Sequence, residues 1–260
     1  MDEEHGLLSI EKIKEVCEKE NIDPSVFTIV DNKNELKSIA QAVDMVNAGE
    51  ADILMKGLCS TDKYMRGILN KERGLLPPKA VLSHVCLVQN PNYHKLLVIS
   101  DIAVIPAPDL KQKQAMINYV VNTAKAIGVE KPKVAMITAT EQMLPGMPAC
   151  VEAAMLAKMS DRGQIIGCYV DGPLALDVAL SAEAAQIKKL TSNVAGDADC
   201  LVFPSIEAAN VFYKTNTQLT KGVRVAAIVA GAKAPCVLSS RADSIDTKLN
   251  SIALAAITAK

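Results

Sequence analysis

Short apolar runs alternate with stretches of helical period along nearly the whole chain. Ile10 to Glu20 reads as an amphipathic helix, with Ile10, Ile13, Val16 and Cys17 on one side. Phe27 to Val30 reads as a strand that ends at the turn Asp31-Asn32. Glu35 to Ala48 is helical and stops at Gly49; Ile53-Leu54-Met55 is a short buried strand. Ser60-Thr61-Asp62 opens a helix to about Leu69, and Pro77-Pro78 breaks the pattern. Ala80 to Val88 and Lys95 to Ile99 read as a pair of strands, followed by a long helix from Leu110 to Ile127. Strands are expected at Val134–Ile137, Ile165–Val170, Cys200–Phe203 and Arg224–Val229. Helices are expected at Pro148–Met159, Ile206–Leu219 and Ser244–Ala259. Val-, Ile- and Leu-rich strands separated by helices imply an α/β protein with a largely parallel sheet. The Pro77-Pro78 break and the Gly231–Pro235 turn mark crossings between two lobes.

Composition narrows the classes. The chain has 260 residues, half of them hydrophobic and 22% charged, enough to bury a sizeable core and too apolar for disorder. A net charge of -1 argues against a nucleic-acid binder, which needs a basic face to displace counterions. No apolar run approaches the ~20 residues that span a bilayer, and no signal-peptide pattern follows the acidic start. A cytoplasmic protein without membrane partners is expected. The seven cysteines are scattered, with no CxxC spacing, so neither a zinc site nor a disulfide framework is expected. They read as small core hydrophobes in a reducing compartment.

In α/β folds ligands bind where strands end and helices begin, which directs attention to four loops. In Lys56-Gly57-Leu58-Cys59-Ser60-Thr61 a strand ends and a Ser-Thr pair opens a helix. Free N–H groups there suit an anion, with Lys56 and Arg66 adding charge. An ordinary helix cap with a solvated lysine fits the same residues. In Ser239-Ser240-Arg241-Ala242-Asp243-Ser244-Ile245-Asp246, Arg241 is one of only five arginines against 23 lysines. A chain so rich in lysine keeps an arginine where a planar fork is needed, although Arg241 could also simply pair with an acid. Asp171, in Asp171-Gly172-Pro173, closes a strand and either points into a cleft or starts a β-turn. Asn210 lies one turn inside the helix after Pro204-Ser205. His84, in an apolar strand, reads as a hydrogen-bonded core residue, and neither it nor His94 has the partners of a Ser-His-Asp triad. No GxGxxG follows a strand, so no dinucleotide site is expected.

Six ordered blocks carry a resemblance. They are Ala51–Gly57, Val81–Val85, Val170–Asp177, Ala195–Asp199, Gly231–Pro235 and Ser240–Ser244 with Lys248–Leu254. Together they resemble the phosphate acetyltransferase/butyryltransferase family, and within it the butyryltransferase branch. The resemblance implies a two-lobed three-layer α/β/α fold like that of isocitrate and isopropylmalate dehydrogenases, with the active site in the interlobe cleft. The first lobe would take residues 1–76 and 235–260, and the second 77–234. A homodimer is implied. So is reversible transfer of a short-chain acyl group, butyryl or branched, between coenzyme A and inorganic phosphate, with coenzyme A as substrate and neither cofactor nor metal. An acetyl-preferring enzyme and a non-catalytic coenzyme A or acyl-phosphate binder are the alternatives. Relatives begin with an additional strand-helix-strand portion, so the first lobe is expected to be shortened. Where acetyl enzymes carry an arginine this chain has Gln218, and where they carry a catalytic aspartate it has Thr247.

The chemistry then asks three things of these residues. The coenzyme A thiol must lose its proton, and a positioned base typically contributes ~10²–10⁴-fold. Asp243 and Asp246 are the candidates. Charge builds on the carbonyl oxygen, and Ser240 as donor with Arg241 as cation answers it. Phosphate must be held, a task for Lys56, Ser60, Thr61, Arg66 and Lys233, with Asp171 and Asn210 as further substrate-binding candidates.

Overall fold

The computed structural model describes residues 10–238 and 243–259. One mixed sheet organises them. Its strands are β1 (Leu54–Met55), β2 (Ser83–Gln89), β3 (Leu96–Ser100), β4 (Lys133–Ile137), β5 (Tyr169–Leu174), β6 (Cys200–Val202), β7 (Arg224–Ala230) and β8 (Cys236–Val237). They stand in the order β1-β8-β7-β2-β3-β6-β4-β5. Around the sheet lie α1 (Ile10–Lys19), α2 (Glu35–Asn47), α3 (Thr61–Ile68), α4 (Leu110–Ala126), α5 (Pro148–Asp161), α6 (Leu176–Leu180), α7 (Ala182–Ile187), α8 (Ile206–Leu219) and α9 (Ile245–Thr258).

Strand alternation splits the core into two layers of side chains. Val85, Val98, Val134, Met136 and Val202 face α4, α5 and α9, where Met116, Val120, Leu156 and Leu254 receive them. Cys86, Ile99, Ala135 and Leu201 face the other way, toward α6, α7 and α8 with Val178, Ala185 and Ala209. The result is a three-layer α/β/α sandwich. A third core closes the β1 edge, where Val43, Tyr64, Ile68 and Leu75 pack on Leu54, Leu82 and Cys236. The Tyr64 hydroxyl donates to the carbonyls of Leu54 and Val237 and so pins α3 to β1 and β8.

Several helices start at side-chain caps. Asn34, Ser60, Ser205 and Ser244 each accept a backbone N–H in the first turn of α2, α3, α8 and α9. Asp109 and Gln112 form a reciprocal capping box on α4.

Three local expectations fail for identifiable reasons. Phe27–Val30 is not a strand: a 3-10 turn at Pro24–Val26 precedes it, no strand among the described residues pairs with it, and Phe27 and Val30 are half exposed. The strand expected at Ile165–Val170 begins only at Tyr169 and runs on through Asp171-Gly172-Pro173 to Leu174. Gly167, at φ +78°, breaks the extended path before it. Pro173, which has no N–H to donate, sits where the β4–β5 ladder shifts register between Ala135 and Ile137, on an edge strand of the sheet. A Cβ at Gly172 would lie 2.6 Å from that of Met136, which is why this strand carries a glycine. The sheet is also less parallel than expected. β2 runs antiparallel to β3 and β7, and β7 to β8. Both β2–β3 and β7–β8 are joined by short turns, and only a long crossover could make such neighbours parallel.

Candidate active site

The turn that follows β3 organises the polar centre of the molecule. Asp101 is 2% exposed, yet both of its carboxylate oxygens are saturated. Oδ1 accepts the backbone N–H groups of Ala103 and Val104, each at 2.8 Å. Oδ2 accepts the Ser83 hydroxyl and the His84 N–H, both at 3.0 Å. The Ser83 and Ser100 hydroxyls meet at 2.7 Å beside it. Asp101 therefore ties the exit of β3 to the entry of β2. One residue further on, the Ile102 carbonyl accepts the side-chain amide of Asn210 from α8 at 3.0 Å.

His84 lies in this centre at 5% exposure. Burial holds its imidazole below the ordinary pKa, while the Asp101 carboxylate, the Leu238 carbonyl and the Asp243 carboxylate pull the other way. Asp243 also bears on Cys86 of β2 and Tyr213 of α8, both pushed up, chiefly by burial. This carboxylate is thus within electrostatic reach of groups on β2 and α8. Asp246 is different. It is exposed in the first turn of α9. Thr247 serves the cap of α9, its hydroxyl 3.0 Å from that of Ser244. Ser240 and Arg241 lie outside the described residues; the segment they occupy leaves β8 at Leu238 and resumes at Asp243.

The Lys56 loop runs beside the exit of β8, since the Lys56 N–H donates to the Val237 carbonyl at 3.0 Å. Its ammonium is buried and turned back on its own loop, donating to the carbonyls of Gly57 and Cys59 at 3.1 and 3.0 Å. Ser60 caps α3, and Thr61 is exposed beside it. Arg66 pairs with Asp62 on the outer face of the same helix, at 3.0 Å. The Cys59 thiol is pushed up by burial against the opposing pull of Lys56, which disfavours a thiolate there.

The other two expected site residues stand elsewhere. Lys233, exposed between β7 and β8, donates to the Asn47 side chain at 2.8 Å. Asp171 lies inside β5, half-buried, accepting from the Gly172 N–H. Four strand spacings separate β5 from β2, about 19 Å. The structure therefore gathers Asp243 and Asn210 around Asp101 and His84, with the Lys56 loop beside the exit of β8. Sequence reasoning passed over Asp101 and gave His84 no role. The available signal was the polar pair Ser83-His84 within an apolar run, which needs a buried partner to be stable.

Among the described residues no three His, Cys, Asp or Glu side chains are placed to hold a metal ion. No helix of these residues is long and apolar enough to cross a membrane.

Residues 4–256 match the family model described as phosphate acetyl/butaryl transferase. The chain belongs to that family. It is 49% identical to a phosphate butyryltransferase of Clostridium acetobutylicum, over 96% of this chain and 82% of the relative. It is 46% identical to a phosphate acetyltransferase of Thermotoga maritima, over 84% of this chain and 74% of the relative. Among solved structures, a branched-chain phosphotransacylase from Enterococcus faecalis V583 superposes with a TM-score of 0.80 at 30% identity, covering 97% of this chain and 95% of that one. The α/β/α sandwich of this transferase family member is thus the fold of those phosphotransacylases.

Proposed function

We propose that the chain transfers a short-chain acyl group, butyryl or branched, reversibly between coenzyme A and inorganic phosphate. The observation that carries this reading is the 49% identity, over 96% of the chain, to a phosphate butyryltransferase. The branched-chain phosphotransacylase of near-equal length supports it. In this reading Ser240 and Arg241 stabilise the charge that builds on the acyl carbonyl, where losing one such donor costs ~3–4 kcal/mol of barrier. Of the two candidate bases, Asp243 is the better supported, because its carboxylate faces the buried centre while Asp246 faces solvent. Asn210 borders the same centre through its bond to Ile102. Lys56, Ser60 and Thr61 shape a helix N-terminus beside the exit of β8, where phosphate would gain from free N–H groups. The carbonyl-bound Lys56 ammonium supports that loop, and Arg66, Lys233 and Asp171 would join only after rearrangement. A two-lobed division at residues 76/77 and 234/235, a homodimer and a cytoplasmic setting belong to the same proposal.

The test is phosphate-dependent thiol release from butyryl-coenzyme A, followed with a chromogenic disulfide, with acetyl-coenzyme A in parallel. Faster release from the butyryl substrate is expected. A preference for acetyl would place the chain with the 46% identical acetyltransferase instead. Binding of coenzyme A without release would make it a non-catalytic relative.

A further inference from the structure

A cleft opens under α9 at the end of the sheet away from Asp101. β2 starts at Ser83, beside Asp101, and ends at Gln89, six residues and about 20 Å further on. There the ladders of β2 set Leu96, Gln89 and Arg224 side by side in one row across β3, β2 and β7. The row before it, Val98, Leu87 and Ala226, belongs with Leu254 of α9 to the buried core. The last row is not covered in this way: Leu96 is 39% exposed, and Arg224 is exposed beside Gln89. Ala253, Leu254 and Ile257 of α9 form the facing wall, with Ile257 51% exposed. Alanines at 226 in the floor and 253 in the wall leave a space of about 280 Å³.

The walls are apolar and the mouth carries one cation. Arg66 and Arg73 pair with Asp62 and Asp44, whereas no carboxylate of the described residues pairs with Arg224. A guanidinium is a planar fork that matches a carboxylate with two parallel hydrogen bonds. Gln89, next in the row, offers an amide donor to the same group. At ~30 Å³ per water in the liquid, the space holds about nine non-hydrogen atoms. That is small for a ligand pocket and admits one short apolar tail behind one anionic head.

We propose that this cleft binds a short-chain monocarboxylate of about four to six carbons, its head on the Arg224 fork and its tail against Leu87, Leu254 and Ile257. It is a second site, separate from the transfer centre, and it does not depend on the function proposed above. So small a ligand should bind with a dissociation constant in the millimolar range.

The experiment is a saturation-transfer NMR titration of the full chain with acetate, butanoate, hexanoate and decanoate, with and without coenzyme A. Affinity should rise about 2–4-fold per methylene from acetate to hexanoate. Decanoate should bind no tighter than hexanoate, because the cleft is then full. Arg224→Gln should weaken hexanoate at least about 10-fold by removing the fork. Ala253→Leu should do the same with the charge intact, by filling the wall. Both positions are exposed, so the fold should hold, and urea unfolding checks it. Absence of saturable binding, or binding that survives either substitution, overturns the proposal. A dissociation constant that rises with coenzyme A concentration places the carboxylate in the transfer centre and overturns it as well. So does a dimer, seen by sedimentation velocity, that both substitutions dissociate, because a second copy then covers the cleft. Wild-type protein that binds hexanoate as expected but shows no phosphate-dependent thiol release would sink the proposed function and leave this site standing.

Discussion

Asp101→Asn should be among the most damaging isosteric changes available to this chain. The side chain keeps its shape, so no cavity forms, and only the hydrogen-bond pattern changes. Asp101 presents two oxygens, each receiving two donors at 2.8–3.0 Å. An asparagine presents one oxygen and one amide, so whichever way it turns, two donors face an NH₂. Hydrogen bonds to a charged group are worth about 1.5–3 kcal/mol each, so two of them amount to roughly 3–6 kcal/mol. No longer burying a charge offsets part of this, and we expect a loss of about 4 kcal/mol. At roughly 2–4 °C per kcal/mol for a chain of this size, Tm should fall by about 8–16 °C. Urea unfolding should show a lower midpoint at unchanged slope. Ser83→Ala is the internal control: it removes one of the four donors and should cost only about 1 kcal/mol. A loss below about 1 kcal/mol for Asp101→Asn would refute the claim that this carboxylate ties the exit of β3 to the entry of β2.

Three further outcomes are expected. Gly231→Ala meets two obstacles, a φ of +98° and a Cβ that would sit 2.1 Å from the Val81 carbonyl oxygen. It should destabilise by more than about 2 kcal/mol in urea titration, and a neutral result would mean the β7–β8 turn has room to move. At the opposite end of the sheet, partial burial of Asp197 works against its ionisation. Hydrogen bonds from Lys133, Lys95 and His94 outweigh it and hold the carboxyl well below its usual range. A depressed folded pKa contributes stability above the unfolded value, about 3.9, and loses it as pH falls further. Asp197→Asn should therefore cost about 1–2 kcal/mol at pH 7, limited by solvent screening, with the gap to wild type narrowing below about pH 4. A gap that stays constant down to acid unfolding would refute the assignment. Lys113 is 5% exposed and pairs with Glu152 across α4 and α5. Lys113→Met should cost about 2–3 kcal/mol by thermal melt, below the usual buried-pair figure because Glu152 reaches water. No measurable change would place the pair among surface bridges.

Much was legible without coordinates because it rests on local physics. Apolar runs and caps placed most of the strands and helices within a few residues, and the six blocks pointed to the family that the comparisons show. The expectation that cysteines serve as core hydrophobes holds, since all seven are buried. Asp243 separates from Asp246 only in three dimensions. Three residues apart in sequence, one acts electrostatically on His84, Cys86 and Tyr213 while the other is exposed in the first turn of α9. Lys56 likewise looked like a free cation by its spacing. Only the curl of its loop turns the ammonium onto the carbonyls of Gly57 and Cys59.

The sequence by itself determined the α/β class, the caps at Ser60, Ser205 and Ser244, and the family, because these depend on periodicity, short-range hydrogen bonding and ordered motifs. The tertiary structure decided strand direction, the end of the apparent strand at Phe27, the edge position that admits Pro173, and the meeting of Asp101 with Ser83 and His84. Each of these depends on which segments become neighbours in the sheet. Asp101 lies 17 residues from His84, and no local pattern records that the exit of one strand will supply the anion that the entry of another needs.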